Sequence, residues 1–134
     1  AITSEFIGKS IAGHSTKKNI GAHSIFLGQV RNDIINNKVV KAIEYTVYAE
    51  MALEKFSEIR EAAFEKYSLT CLHIYHSLGL VNSGEISLFV LTSSAHRKDA
   101  IKACEEIVGR IKTEVPVWGK EIFDDESHQW KVNS

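Results

Sequence analysis

The sequence predicts an α+β fold, and three observations carry that prediction. Residues 39–48, VVKAIEYTVY, place Ile43, Tyr45 and Val47 on one face at a period of two, the mark of a half-buried strand. From Ala49 to about Lys66 the period changes, and Met51, Phe56, Ile59 and Ala63 lie near one helical stripe among Glu54, Lys55, Glu58, Arg60 and Glu61. The strand-like and helical segments then succeed one another as ββαββα with trailing strands, an order that suits helices laid against antiparallel sheet.

Taken in order, the first twenty residues show no firm pattern. GAHSIFLGQVR (21–31) is rich in strand-compatible residues and runs into the turn-forming NDIINN, after which residues 39–48 form the second strand. The helix at 49–66 follows. LTCLHIYHSLGLV (69–81), the turn-like NSGE and ISLFVLTSS (86–94) read as two further strands, the second apolar enough to be central. Residues 96–112 form a second amphipathic helix expected to bury Ile101, Cys104, Ile107, Val108 and Ile111. VPVWGKEIF and HQWKV supply short extended pieces at the end. No repeat, low-complexity tract or Pro/Gly-rich linker divides the 134 residues, so a single domain over 1–134 is expected.

Composition excludes several classes of function. A formal net charge of −1 argues against a nonspecific polyanion binder, so a bound anion should be small and held by a local cluster rather than being nucleic acid. No apolar run approaches the roughly 18 residues of a membrane span, and the start AITSEFIGKS lacks the layout of a signal peptide, so a soluble, cytoplasmic protein is expected. Cys71 and Cys104 lie in apolar surroundings without ligand spacing and read as reduced core residues. His73 and His76, three apart on a strand, point to opposite faces and cannot readily chelate one ion; no metal and no cofactor are expected. The usual hydrolase and nucleotide-binding motifs are absent.

Ser94-Ala95-His96-Arg97-Lys98-Asp99 stands where the most apolar strand turns into a helix. Unpaired backbone N–H groups and the macrodipole favour an anion there, and a hydroxyl, an imidazole and a guanidinium are added within four residues. The plain alternative is that Ser94 caps the helix and His96 and Arg97 are solvated. Arg31 at a strand end, Lys112 in the last turn of the second helix and Lys120 beyond Pro116 are further cations whose spacing suggests convergence with His96 and Arg97. Lys112 could equally complement the helix dipole, and Lys120 could be a solvated lysine.

The chain from Gly21 to Trp130 resembles the large, catalytic subunit of molybdopterin synthase, the MoaE family. The resemblance is carried by GAHSIFLGQVR, by EYTVYAEMA leading into a helix, by HSLGLVNSGEISLFVLTSSAHRKDA, and by IKTEVPVWGKEIF with a later Trp130. It implies an α/β hammerhead fold with an additional antiparallel β-rich part. The implied activity is sulfur transfer, turning cyclic pyranopterin monophosphate into molybdopterin with the C-terminal Gly-Gly thiocarboxylate of a small ubiquitin-like subunit as donor. The implied assembly is a homodimer within a heterotetramer, one small subunit at each outer end. By the same resemblance Gln29, Val30 and Arg31, and His96 and Arg97, match substrate-binding segments, while Lys112 matches a catalytic lysine.

One position departs. The family usually reads Pro-x-Trp-Lys-Lys/Arg-Glu, and here Gly119 stands directly after Trp118 where a second important lysine is expected. Lys120 is expected to take that catalytic role, with Gly119 letting the backbone reorient; the alternative is that Lys120 matches only the neighbouring basic position. Glu121 matches an acid that orients a lysine or contacts substrate, or is an exposed charge on an edge strand. Phe26 and Trp118 line either the pterin site or the tail's channel, or belong to the core. Gly119 also sustains a rival reading, a noncatalytic partner-binding module that keeps the fold and dimer.

Overall fold

The computed structural model describes residues 1–131 and holds two antiparallel sheets. The elements are α1 (Ser4–Ala12), β1 (Ala22–Gln29), β2 (Ile34–Ile35), β3 (Lys38–Val47), α2 (Ala49–Lys66), β4 (Cys71–His76), β5 (Gly79–Asn82), β6 (Ile86–Ser94), α3 (Arg97–Glu114), β7 (Val117–Phe123) and β8 (His128–Trp130). The first sheet has the order β1-β6-β4, with β6 central as its apolar run requires. The second has the path β2-β3-β7-β8, with β5 added on β3.

Helices α2 and α3 cover one face of the first sheet. Ile59, Ala63, Leu72, Leu88, Val90, Cys104, Ile107 and Ile111 bury themselves between the layers, each large aliphatic contributing about 1.5–3 kcal/mol. A smaller core of Val30, Val40, Ile43, Val81 and Phe123 lies within the second sheet. Both cysteines are buried and free, as expected. Among the described residues no helix is long and apolar enough to cross a membrane.

The buried stripes are phased one position away from expectation at two places. Met51 is exposed and Ala52 buried, because the stripe 52, 56, 59, 63 follows the helical repeat and Met51 lies a hundred degrees off it. Ile101 is likewise exposed, its place taken by Ala100 and Ala103, small residues that let α3 approach the sheet closely.

Three local features differ from the sequence reading. The opening segment contains α1, whose N-cap Thr3 accepts a hydrogen bond from the Phe6 amide and whose Phe6 ring stands edge-on to Tyr75. The NDIINN turn contains a two-residue hairpin: Asn36 and Asn37 both have positive φ, 52° and 65°, the pattern of a type I′ turn between Ile34–Ile35 and Lys38–Val39. Residues 69–81 are not one strand. The chain breaks after His76, and Gly79, with φ of 76°, starts β5 on the second sheet. That crossing joins the two sheets and brings His76 beside Tyr45. The extended piece HQWKV ends at Trp130 as strand, and Val132 lies outside the described residues.

Candidate functional site

The seam between the sheets, at the C-terminal end of α3, opens into a cavity of about 260 Å³. Gln29 and Arg31 reach it from the end of β1, Lys112 from the last turn of α3, Tyr45 from β3, His76 from β4, and Lys131 from just beyond β8. Phe26, Leu88, Ile111 and Val115 form its apolar wall. Three cations therefore share one small space that has hydrophobic backing, an arrangement that favours a ring-bearing anion.

The electrostatics follow from this crowding. Partial burial, then the positive charges of Lys131 and Arg31, hold the Lys112 ammonium below the usual lysine value, although its side chain reaches solvent. Burial also holds His76 below the ordinary histidine value, and Lys112 acts in the same direction. Taken as a neutral ring, His76 donates Nδ1–H to the Ser77 carbonyl at 2.7 Å and keeps Nε2 as acceptor. Burial raises the Tyr45 phenol. The cavity thus combines a lysine shifted below its ordinary value with a phenol shifted above its own.

Gly119 lies directly opposite Tyr45 in the β3–β7 pairing, and the tyrosine ring covers it. A Cβ at this position would stand 2.9 Å from Ile43 Cγ2 and 3.3 Å from the Tyr45 ring. A lysine is therefore excluded unless the stiff β-branched Ile43 moves. Gly119→Lys is expected to lower stability by about 1–3 kcal/mol, read as a fall in urea midpoint at unchanged slope. A variant as stable as the parent would show that the glycine answers no packing constraint.

Lys120, expected to replace the lysine missing at Gly119, does not line this cavity. It alternates to the other face of β7 and pairs with Glu44 at 3.5 Å. The second lysine is Lys131, whose backbone N–H donates to the Gly119 carbonyl at 2.8 Å. Sequence reasoning missed it. Its only signal was the basic residue immediately after the late Trp130.

The remaining expected site residues divide. Gln29 and Arg31 face the cavity, and Arg31 also pairs with Asp33 at 3.3 Å, an exposed contact worth at most about 1 kcal/mol. Val30 is 2% exposed and belongs to the second core, while its N–H and carbonyl pair with Glu85 and Gly84. Glu121 is 5% exposed on a strand paired on both sides, which removes the edge-strand alternative; it accepts from Gln129 at 3.3 Å beside a second hollow that Arg31 and Lys131 also line. Phe26 lines the main cavity, whereas Trp118 faces outward against Tyr48 at 4.8 Å, with Trp130 completing an exposed aromatic groove.

His96 and Arg97 stand apart from all of these. Both are exposed at the start of α3, with His96 at the N-cap position and making no side-chain cap. Ser94 is buried and its hydroxyl donates to the Ser68 carbonyl, so it neither caps the helix nor faces an anion. Sixteen residues of helix separate His96 from Lys112, about 24 Å at 1.5 Å per residue. The convergence expected of all five cations does not occur within one chain.

Fold and cavity define an α+β protein with a compact cationic cleft at the junction of two sheets. The chain belongs to the MoaE protein family, whose pattern matches residues 3–114. It is 38% identical over 113 residues to the molybdopterin synthase catalytic subunit of Oryza sativa subsp. indica, covering 84% of this chain and 58% of that one. The corresponding protein of Pyrococcus abyssi is 36% identical over 110 residues, 82% of this chain and 74% of that one. The chain thus spans less than two thirds of the length of the rice relative. Molybdopterin synthase from Staphylococcus aureus shares the fold with a TM-score of 0.85 at 32% identity, over 98% of this chain and 92% of that one. A complex of subunits 1 and 2 of molybdopterin-converting factor from Helicobacter pylori contains the same fold, with a TM-score of 0.82 at 22% identity over 97% and 84% of the two chains.

Proposed function

We propose that this chain is a single-domain catalytic subunit of a molybdopterin synthase, acting in the cytoplasm to convert cyclic pyranopterin monophosphate into molybdopterin. The observation that carries the reading is the cavity in which Lys112, Arg31 and Lys131 surround a space with an apolar wall. The substrate is a phosphorylated fused ring, and such a ligand needs both features. Arg31 and Lys131 hold its negative charge, the guanidinium by its planar fork and the ammonium as a point charge.

Sulfur comes from the thiocarboxylate at the end of a small ubiquitin-like partner. The exposed groove of Tyr48, Trp118 and Trp130, on the face of β7 opposite Gly119, offers that partner an apolar surface to dock against. The sulfur attacks the pterin and joins it to the tail as a thioester; when water then adds to the acyl carbon, Lys112 can move a proton or stabilise the oxyanion of the tetrahedral intermediate. A pKa held below the usual lysine value suits the first role, and the positive charge of the ammonium suits the second. The transferred sulfur stays on the pterin, and the tail leaves as an ordinary carboxylate once water has taken sulfur's place.

The length of α3 supports a role for His96 and Arg97 across two chains. In a homodimer, the helix start of one copy serves the cavity of the other, so a single phosphorylated substrate is held by two chains. The Helicobacter pylori assembly, a complex of two different subunits, supports the heteromeric half of the assembly.

The test mixes the purified chain with a thiocarboxylated small subunit and cyclic pyranopterin monophosphate, and follows dithiolene product by fluorescence after oxidation. Product is expected. A stable complex that yields none would favour the noncatalytic module, the reading to which Gly119 lends its weight.

A further inference from the structure

Three metal-ligand side chains from distant parts of the sequence meet on the sheet face that α1 covers. Cys71 and His73, two apart on β4, project to that face, and the chain leaving α1 lays His14 over them. Their ligand atoms all lie within 4.8 Å of one another. His14 Nε2 and His73 Nε2 are 3.0 Å apart. Two nitrogens at about 2.0 Å from a tetrahedral zinc stand about 3.3 Å apart, so the spacing of the two rings already suits a shared ion once their lone pairs turn toward it.

The surroundings prepare these groups for ligation. His14 Nδ1 lies 2.6 Å from the Ser10 carbonyl and donates its N–H there, which leaves Nε2 with its lone pair directed at His73 and fixes the ring. The Cys71 sulfur is buried and accepts from Lys17 Nζ at 2.9 Å, and Lys17 is an exposed residue on a flexible stem that can swing into solvent. His76 is excluded from the group, since it leaves β4 on the opposite face to line the cavity.

We propose that His14, Cys71 and His73 form a zinc site, with solvent in the fourth position. The donor set of two imidazoles and one thiolate suits Zn²⁺, and the open position lies toward His23, whose ring is 5.9 Å from that of His14. Binding forms one zinc–sulfur and two zinc–nitrogen bonds, sends the thiol proton to solvent, moves the His73 proton from Nε2 to Nδ1, and breaks the His14–His73 and Lys17–Cys71 hydrogen bonds; nothing is oxidised or reduced. The Cys71 thiolate offsets one of the ion's two charges in the presence of Lys17 and Arg60. The consequence is structural. Helix α1 has no fully buried residue and rests on Phe6 against Tyr75 and Phe89, so the ion would tie the chain beyond its C-terminus to β4.

The experiment titrates the chelator-treated full chain with Co²⁺, a spectroscopic stand-in for zinc. One cobalt per chain is expected, with thiolate-to-cobalt charge-transfer absorption in the near ultraviolet and intense visible bands of a tetrahedral ion, bleached when Zn²⁺ is added. Cys71→Ser should lose the charge-transfer band, and His14→Gln and His73→Gln should each weaken binding at least tenfold, while His128→Gln, at an exposed site on β8, binds as the parent does. Zinc should also slow amide exchange in α1. Absence of the thiolate band in the parent, or its persistence at full strength in Cys71→Ser, overturns the site. Should Cys71→Ser fail to fold by circular dichroism, the histidine variants decide: unchanged affinity in both overturns the proposal equally.

Discussion

Lys112→Ala should reduce sulfur transfer by about 10²–10⁴-fold while leaving the fold intact. The side chain reaches solvent in the last turn of α3, where its favourable interaction with the helix dipole is worth only about 0.3–1 kcal/mol, so the loss will be chemical rather than structural. Parallel variants separate the two other lysines. Lys131→Ala should lower activity because it removes a cation from the cavity, whereas Lys120→Ala should stay near the parent because its ammonium is engaged with Glu44 on the other face of β7. The pH profile supplies a readout that a merely structural role would not move. Lys131 is one of the charges that depress Lys112, so deleting it makes the protonated form of Lys112 easier to keep and its pKa must rise. The ionisation of Lys112 in the kcat/KM profile should therefore shift to higher pH in Lys131→Ala and stay put in Lys120→Ala. A shift in the second variant, or none in the first, would exchange the roles assigned to them.

That exchange of lysines shows where the sequence stops being readable. Periodicity found β1, β3, α2, β6 and α3 nearly to their ends, because each is long and buries a face against the same layer, so its pattern repeats several times. It did not find α1, only nine residues with a glycine and two serines, held by the Phe6 ring against Tyr75 and Phe89 and by a capping threonine. Nor could it divide β4 from β5. Both are apolar, and the break depends on a positive φ at Gly79 that has meaning only once a second sheet exists to receive the chain. The site obeyed the same rule. Arg31 and Lys112 were legible because each ends a long element and so lies at a rim of the fold. Lys131 follows a three-residue strand whose register against β7 is a tertiary fact, and no local pattern places it beside Gly119. Resemblance supplied the expectation of a lysine after Trp118, and packing explains its absence: Ile43 and the Tyr45 ring already occupy the space. The zinc-ligand cluster lay hidden for the same reason, since 59 residues separate His14 from His73.

The separation of His96 and Arg97 from Lys112 leads to the second large effect. Arg97→Ala should depress turnover chiefly through weaker substrate binding, seen as a raised KM, and alone it is as uninformative about geometry as Lys112→Ala. Mixing the two defective proteins under conditions that allow subunits to exchange is decisive. If each cavity draws its lysine from one chain and its arginine from the other, a mixed dimer contains one cavity with both residues intact and one with neither. At equal amounts and random pairing, half of the dimers are mixed and one of their two cavities works, so activity should recover to about a quarter of the parent value. If each cavity used its own chain's arginine, every cavity in every dimer would still lack one residue and nothing would be regained. The helix makes the first outcome the expected one: at about 22 Å, Arg97 and Lys112 are too far apart for one small phosphorylated ring system to touch both on a single chain. Recovery near a quarter would make the dimer the catalytic unit, whereas none would mean that no cavity draws its arginine from the other chain.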